Sequence, residues 1–122
     1  MTRFLLVCLG GAIGTGARYL TAIWAAGALG TAFPFGTLIV NVVGSFLIAL
    51  ILQLNPASLD VRLLLTTGVM GGFTTYSAFN YETTNYFRTG AWALGALNAS
   101  VTFVGCLAAG VAGLAVGRML AR

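Results

Sequence analysis

The 122-residue chain contains no lysine and no histidine, and only two acidic residues, Asp60 and Glu82. Without histidine or grouped carboxylates it cannot bind a catalytic metal, pass a proton to a serine nucleophile or run acid–base chemistry between paired carboxyls. These shortages argue against an enzyme. Charged residues make up 7% of the chain, against about 25% in an ordinary soluble domain. That is too little charge to cover a water-exposed surface. With 59% hydrophobic residues and a mean hydropathy of +0.98, the chain is read as an all-α protein immersed in lipid. Cysteine is also scarce. Cys8 and Cys106 both lie in apolar runs, where a thiol acts as a small hydrophobe, so no disulfide framework is expected.

All the positive charge is arginine, and the net charge is +4. A nucleic-acid surface would gather these cations into a patch. Here Arg3, Arg62, Arg88, Arg118 and Arg122 are scattered near the ends of apolar runs, which is how membrane spans are flanked. A lipid bilayer is therefore the expected partner, and nucleic acid is not.

Because charge is costly in hydrocarbon and a helix needs about 20 apolar residues to cross it, the uncharged stretches mark the spans. Residues 19–59 are too many for one crossing and are interrupted by Gly27, Gly30 and Phe33-Pro34-Phe35. Four transmembrane helices are predicted, at about 4–27, 36–54, 62–87 and 91–117, and they form one domain over 1–122. Met1-Thr2-Arg3 before Phe4-Leu5-Leu6-Val7 has the look of a secretory leader. Gly10, Gly11, Gly14, Gly16 and Arg18, however, stand where its apolar core and cleavage site belong, so the first helix is expected to stay. Four spans place both termini on one face together with Arg3, Asp60, Arg62, Arg118 and Arg122. Arg88 and the deeper Arg18 fall toward the other face. Counted alone, the arginines favour cytoplasmic termini.

Seventeen glycines point to close helix packing. Small residues recur four apart at Gly10/Gly14, Gly68/Gly72 and Gly105/Ala109/Gly113/Gly117, a spacing that serves packing within one chain and dimerisation equally well. Polar residues also form ladders, since side chains four apart share a helix face. The second helix carries Thr37, Asn41 and Ser45. The fourth has Asn98, Thr102 and Cys106 leading to Gly110, and the third has Thr66, Thr67, Thr74, Thr75, Ser77 and Asn80. Any one hydroxyl is explained by interhelical bonding, but three ladders together favour a lined pathway. Hydroxyls, amides and aromatic ring edges suit a small anion, whereas a cation route would call for carboxylates. Arg18 adds positive potential. The paired Gly71-Gly72 before Thr74-Thr75 continues a helix poorly. A break is expected there, near the bilayer midplane, where freed carbonyls need protein, a cavity or a cation.

Gly10-Gly11-Ala12-Ile13-Gly14 followed by Ala17-Arg18-Tyr19, Gly36-Thr37 through Asn41, and Thr66-Thr67-Gly68-Val69-Met70-Gly71-Gly72-Phe73-Thr74-Thr75 together resemble the CrcB/Fluc family of fluoride channels. The similarity extends over all four spans. It implies an antiparallel, dual-topology homodimer in the plasma (inner) membrane, with two fluoride pathways and a central structural sodium ion, exporting fluoride passively. Mapped by motif, Asn41, Thr75, Tyr76, Ser77 and Phe79 would face the anion. The resemblance also implies that Glu82 lies near one mouth and that Arg18 lends potential to a vestibule. Thr102 would continue the track on the fourth helix, and the carbonyls of Gly71 and Thr74 would hold the sodium. The chain departs from the family at Tyr76-Ser77-Ala78-Phe79, where Phe-x-x-Phe is usual, and along Thr102, Cys106 and Gly110, which is less polar than usual. Two other readings are a small multidrug antiporter, which needs a carboxylate in a first helix that has only Arg18, and a non-transporting membrane assembly subunit.

Overall fold

The computed structural model describes residues 1–122 and is helical throughout, with no strand. Helix α1 runs over Thr2–Leu29 and α2 over Phe35–Leu54. A third helical run begins with α3, Leu59–Leu63, widens into a π-helical segment, Leu64–Met70, and closes with the single turn α4, Gly71–Phe73. Helices α5, Tyr76–Arg88, and α6, Trp92–Leu120, complete the chain. α1, α2 and α6 are each long and apolar enough to cross a membrane. They cover the stretches assigned above to the first, second and fourth spans. The chain from Leu59 to Arg88 is not one helix, because Thr74 (φ −84°, ψ 157°) and Thr75 (φ −151°, ψ 106°) are extended.

Local chemistry explains most of the boundaries. α1 ends at Gly30, whose φ of 81° suits a residue without a Cβ. Pro34 then sets the start of α2. α2 closes on Asn55 in the left-handed region (φ 48°), with Pro56 behind it to block continuation. Ser58 caps α3 by accepting from the Val61 amide at 3.4 Å, and Asp60 places its carboxylate in the positive first turn. Thr75 caps α5 in the same way, its hydroxyl accepting from the Ala78 amide at 3.2 Å.

Packing follows the glycines. α1 lies directly on the π segment and α4, α2 lies along α6, and α5 packs on α6. A methyl at Gly10 would sit 2.5 Å from the Leu64 carbonyl oxygen, and one at Gly14 would overlap the Val69 carbonyl. Gly68 and Gly72 are equally closed off by α1, and Gly113 and Gly117 by α2. In this chain those small residues therefore serve contacts within one subunit. Gly11 and Gly16 meet nothing within 4 Å, and Gly71 only the Thr66 carbonyl at 3.9 Å.

The interior is the reverse of a soluble core. Only 14 of 122 residues are buried, and half of them are glycine. The other buried residues are three apolar ones, Ala25, Val40 and Met70, and four polar ones, Asn41, Thr83, Asn98 and Thr102. Leu5, Ile13, Phe103, Val111 and many other large apolar side chains face outward. That arrangement suits a lipid solvent, in which apolar surface needs no cover and buried polar groups provide cohesion.

Candidate functional site

The extended pair Thr74-Thr75 redirects the backbone amides of Thr75 and Ala78. In an unbroken helix the Thr75 amide would bond the Gly71 carbonyl, but here it donates to Asn41 Oδ1 at 2.8 Å. The Ala78 amide, which would bond Thr74, goes to the Thr75 hydroxyl. No backbone amide takes up the carbonyls of Gly71, Gly72, Phe73 or Thr74. Gly72 is the exception in one respect, since its oxygen accepts from Arg18 Nε at 2.9 Å. Three carbonyls are thus left free of chain partners. Gly71 and Thr74 were expected from the sequence, and Phe73 is a third that the sequence reading missed.

Asn41, on α2, spends most of its amide on this break. Besides accepting from Thr75, it donates from Nδ2 to the Thr75 carbonyl at 3.0 Å, so one N–H remains for anything else. Ser45, one turn along, turns its hydroxyl back to the Asn41 carbonyl at 2.6 Å. At the other end of the ladder Thr37 donates to Glu82 Oε1 at 2.6 Å, and Glu82 Oε2 is buried without a partner.

Beside the break lies a cavity of about 770 Å³, open on one side, between α2, α6 and the start of α5. Asn41 and Ser45 line it from α2, Thr74, Tyr76 and Phe79 from the break and α5, and Thr102, Phe103 and Cys106 from α6. The Tyr76 and Phe79 rings are tilted at 59° with centroids 5.6 Å apart, which presents edges as well as faces. Of the residues singled out from sequence, Asn41, Tyr76, Phe79 and Thr102 meet here, with Thr74 beside them. Thr75 and Ser77 do not line the cavity. Their hydroxyls lie 3.4 Å apart at the α5 cap. Glu82 sits with Thr37, and Arg18 approaches the break from α1, so neither reaches the cavity. Ser100 and Phe103 line it without having been singled out. Their spacing with Leu107 (i, i+3, i+7) was the available signal.

Thr102 differs from the other buried hydroxyls. Thr83 turns its proton to the Phe79 carbonyl at 2.8 Å while accepting from Asn98 Nδ2 at 2.9 Å. Ser45, Thr74 and Ser100 likewise donate to the carbonyl four residues back. Thr102 Oγ1 is buried and makes no hydrogen bond at all. A buried hydroxyl left unmade costs about 1–3 kcal/mol, and Thr102, a residue of the cavity lining, carries that cost with no group of the chain to relieve it.

The geometry can be set beside known proteins. Residues 5–114 match the family described as CrcB-like protein, Camphor Resistance (CrcB). The chain is 55% identical to a protein of Anaeromyxobacter dehalogenans named fluoride-specific ion channel FluC, with 99% of each chain covered. Proteins of the same name from Sorangium cellulosum and Agrobacterium fabrum are 48% and 47% identical, over 98% of this chain in both cases. A likeness that spans the third helical run and its break along with the three long helices is a likeness of the whole protein. This chain belongs to the CrcB family.

Proposed function

We propose that this chain is a fluoride channel that lets the anion leave the cell down its electrochemical gradient. The cavity carries this reading. Its donors include the unpaired Thr102 hydroxyl, the last amide proton of Asn41 and aromatic ring edges, and no carboxylate stands among its lining residues. Such a lining can replace the hydration of a small anion, and it lacks the carboxylates that a cation route would call for. Phe79 presents its ring edge to the ion, and Thr102 and Asn41 donate to it from the two facing helices.

No coupling group is required. From acidic surroundings fluoride enters cells as neutral hydrogen fluoride and is trapped as the anion in a less acidic interior. A negative interior then drives it out by about 2.3 kcal/mol per 100 mV. An antiporter for cationic drugs would need a carboxylate on α1, which has no acidic residue and whose one deep charge, Arg18, is bonded to a carbonyl.

In this reading the protein is a multi-pass protein of the plasma membrane, and the run from Leu59 to Arg88 is its third, broken span. It works as an antiparallel homodimer. Tyr76 is 77% exposed and Phe103 67% exposed at the open side of the cavity, so a second copy would close the wall. Gly71 leaves open space on the same break. In this reading the axis runs near 71–74, because an in-plane twofold brings only midplane residues against their own copies. The freed carbonyls of Gly71 and Thr74 are suitable ligands for sodium, which binds oxygen and would neutralise their dipoles in a dry setting. Purified protein in liposomes should release fluoride without ATP or a proton gradient, as read by a fluoride electrode. Release no faster than from protein-free vesicles would refute the reading.

A further inference from the structure

Arg18 is the one charge set deep within a long apolar helix, and its surroundings define its role. Neither carboxylate pairs with it, since Asp60 pairs with Arg3 at 2.9 Å and Glu82 bonds Thr37 through Oε1. Its hydrogen bond in this chain is from Nε to the Gly72 carbonyl at 2.9 Å. Gly72 lies beneath α1 so closely that a methyl there would come within 3.0 Å of the Thr15 amide and hydroxyl. The side chain of Arg18, rising from the next turn of α1, therefore meets the last turn of the Leu59–Phe73 run where its carbonyls lose their amides. That C-terminus carries partial negative charge, and an N–H donated there satisfies an orphan acceptor. From the opposite side, Asn41 holds both backbone groups of Thr75.

We infer that Arg18 is a positioning residue that fixes the helix break through the hydrogen bond from its Nε to Gly72, and that this bond matters more than its charge. With Asn41 it forms a clamp across the break, one jaw from α1 on Gly72 before it and one from α2 on Thr75 within it. Arg18 does not line the cavity. It acts through the backbone that carries Thr74 and Tyr76 into it. The inference deepens the fluoride-channel reading and rests on it for its transport consequence.

Side-chain length separates hydrogen bond from charge. Glutamine places its amide nitrogen the same number of bonds from Cα as the Nε of arginine, without the charge. Lysine keeps the charge with its donor one bond further out, and methionine matches the length with no donor. Fluoride efflux from liposomes and amide hydrogen exchange over residues 72–77 are measured for the parent, Arg18→Gln, Arg18→Lys and Arg18→Met. Arg18→Gln should keep about a third of the parental efflux and parental exchange, whereas Arg18→Met, which strands the carbonyl, should lose about thirtyfold and exchange faster. Arg18→Lys retaining efflux while Arg18→Gln falls to the level of Arg18→Met would overturn the inference. So would parental exchange in Arg18→Met. Should Arg18→Met also speed exchange in α2 and α6, it has lost the fold, and the comparison of Gln with Lys decides. If the parent releases no fluoride, the channel reading fails, and hydrogen exchange alone still tests the clamp.

Discussion

The two sides of the helix break are built from the same kinds of residue to opposite ends. Toward α1, glycines bring backbone against backbone, with Gly10, Gly14, Gly68 and Gly72 leaving no room for a methyl. Toward α2 and α6, the chain leaves a cavity of about 770 Å³ in which a buried hydroxyl has no partner. One side is dry and closed, and the other is open, with a few polar groups set in a mainly apolar wall. The contrast shows how a chain of 122 residues reconciles two demands. Extended backbone within a membrane must be held rigidly, yet a pathway must keep some groups unsatisfied until an ion arrives. In the proposed channel the chain meets each demand on a different side of the same two residues, Thr74 and Thr75.

Substitutions on the dry side should do the most damage. Gly14→Val puts side-chain atoms onto the Val69 carbonyl, and overpacking of that kind should cost about 3 kcal/mol, seen as aggregation or a lowered Tm in detergent. Gly11→Ala, three residues away and facing open space, should leave the Tm of the separated subunit unchanged. If both variants fold alike, the distinction between closed and open glycines is void.

On the polar side, stability and transport should part company. Phe79→Ile removes a ring edge from the cavity and should slow fluoride efflux about tenfold with little change in Tm. Thr83→Val should do the reverse. It abolishes the bond from Asn98 and the one to the Phe79 carbonyl, and should cost about 1–2 kcal/mol of stability. Asn41→Ala should lower both, because that amide serves the Thr75 backbone as well as the cavity. At the terminal face, Asp60→Asn breaks an exposed pair with Arg3 and should shift stability by less than about 0.5 kcal/mol.

Much of the fold was readable from the sequence because lipid makes charge and turn chemistry decisive. The apolar stretches between arginines, Gly30 with Pro34, and Asn55 with Pro56 place the ends of α1 and α2 to within two residues of those expected. The paired glycines and threonines marked the neighbourhood of the extended residues. The π-helical segment over Leu64–Met70 left no such mark, since hydrogen-bond register is set by packing against α1 rather than by residue type. The spacing of the small residues was visible, but not which partner they face. Gly68 and Gly71 look equivalent in sequence, yet one lies under α1 and the other in the open.

The candidate site was legible only in its residue types. Asn41, Tyr76, Phe79 and Thr102 do line one cavity, but the ladder pattern could not distinguish the bonded hydroxyl of Ser45 from the free one of Thr102. Both are hydroxyls on helices, and a rotation about χ1 decides between them. Nor could it show that Arg18 meets a carbonyl far along the chain rather than the cavity.

The unpaired hydroxyl is where the account is most exposed. Thr102→Val keeps the shape of the side chain, removes no hydrogen bond within the chain and takes away the one hydroxyl of the cavity lining that is buried without a partner. Fluoride efflux and thermal unfolding are measured together on the parent and this variant. The account predicts efflux reduced about tenfold or more, with a Tm equal to or above that of the parent, since a costly orphan has been removed. Efflux equal to the parent, or efflux and Tm falling together, would contradict it.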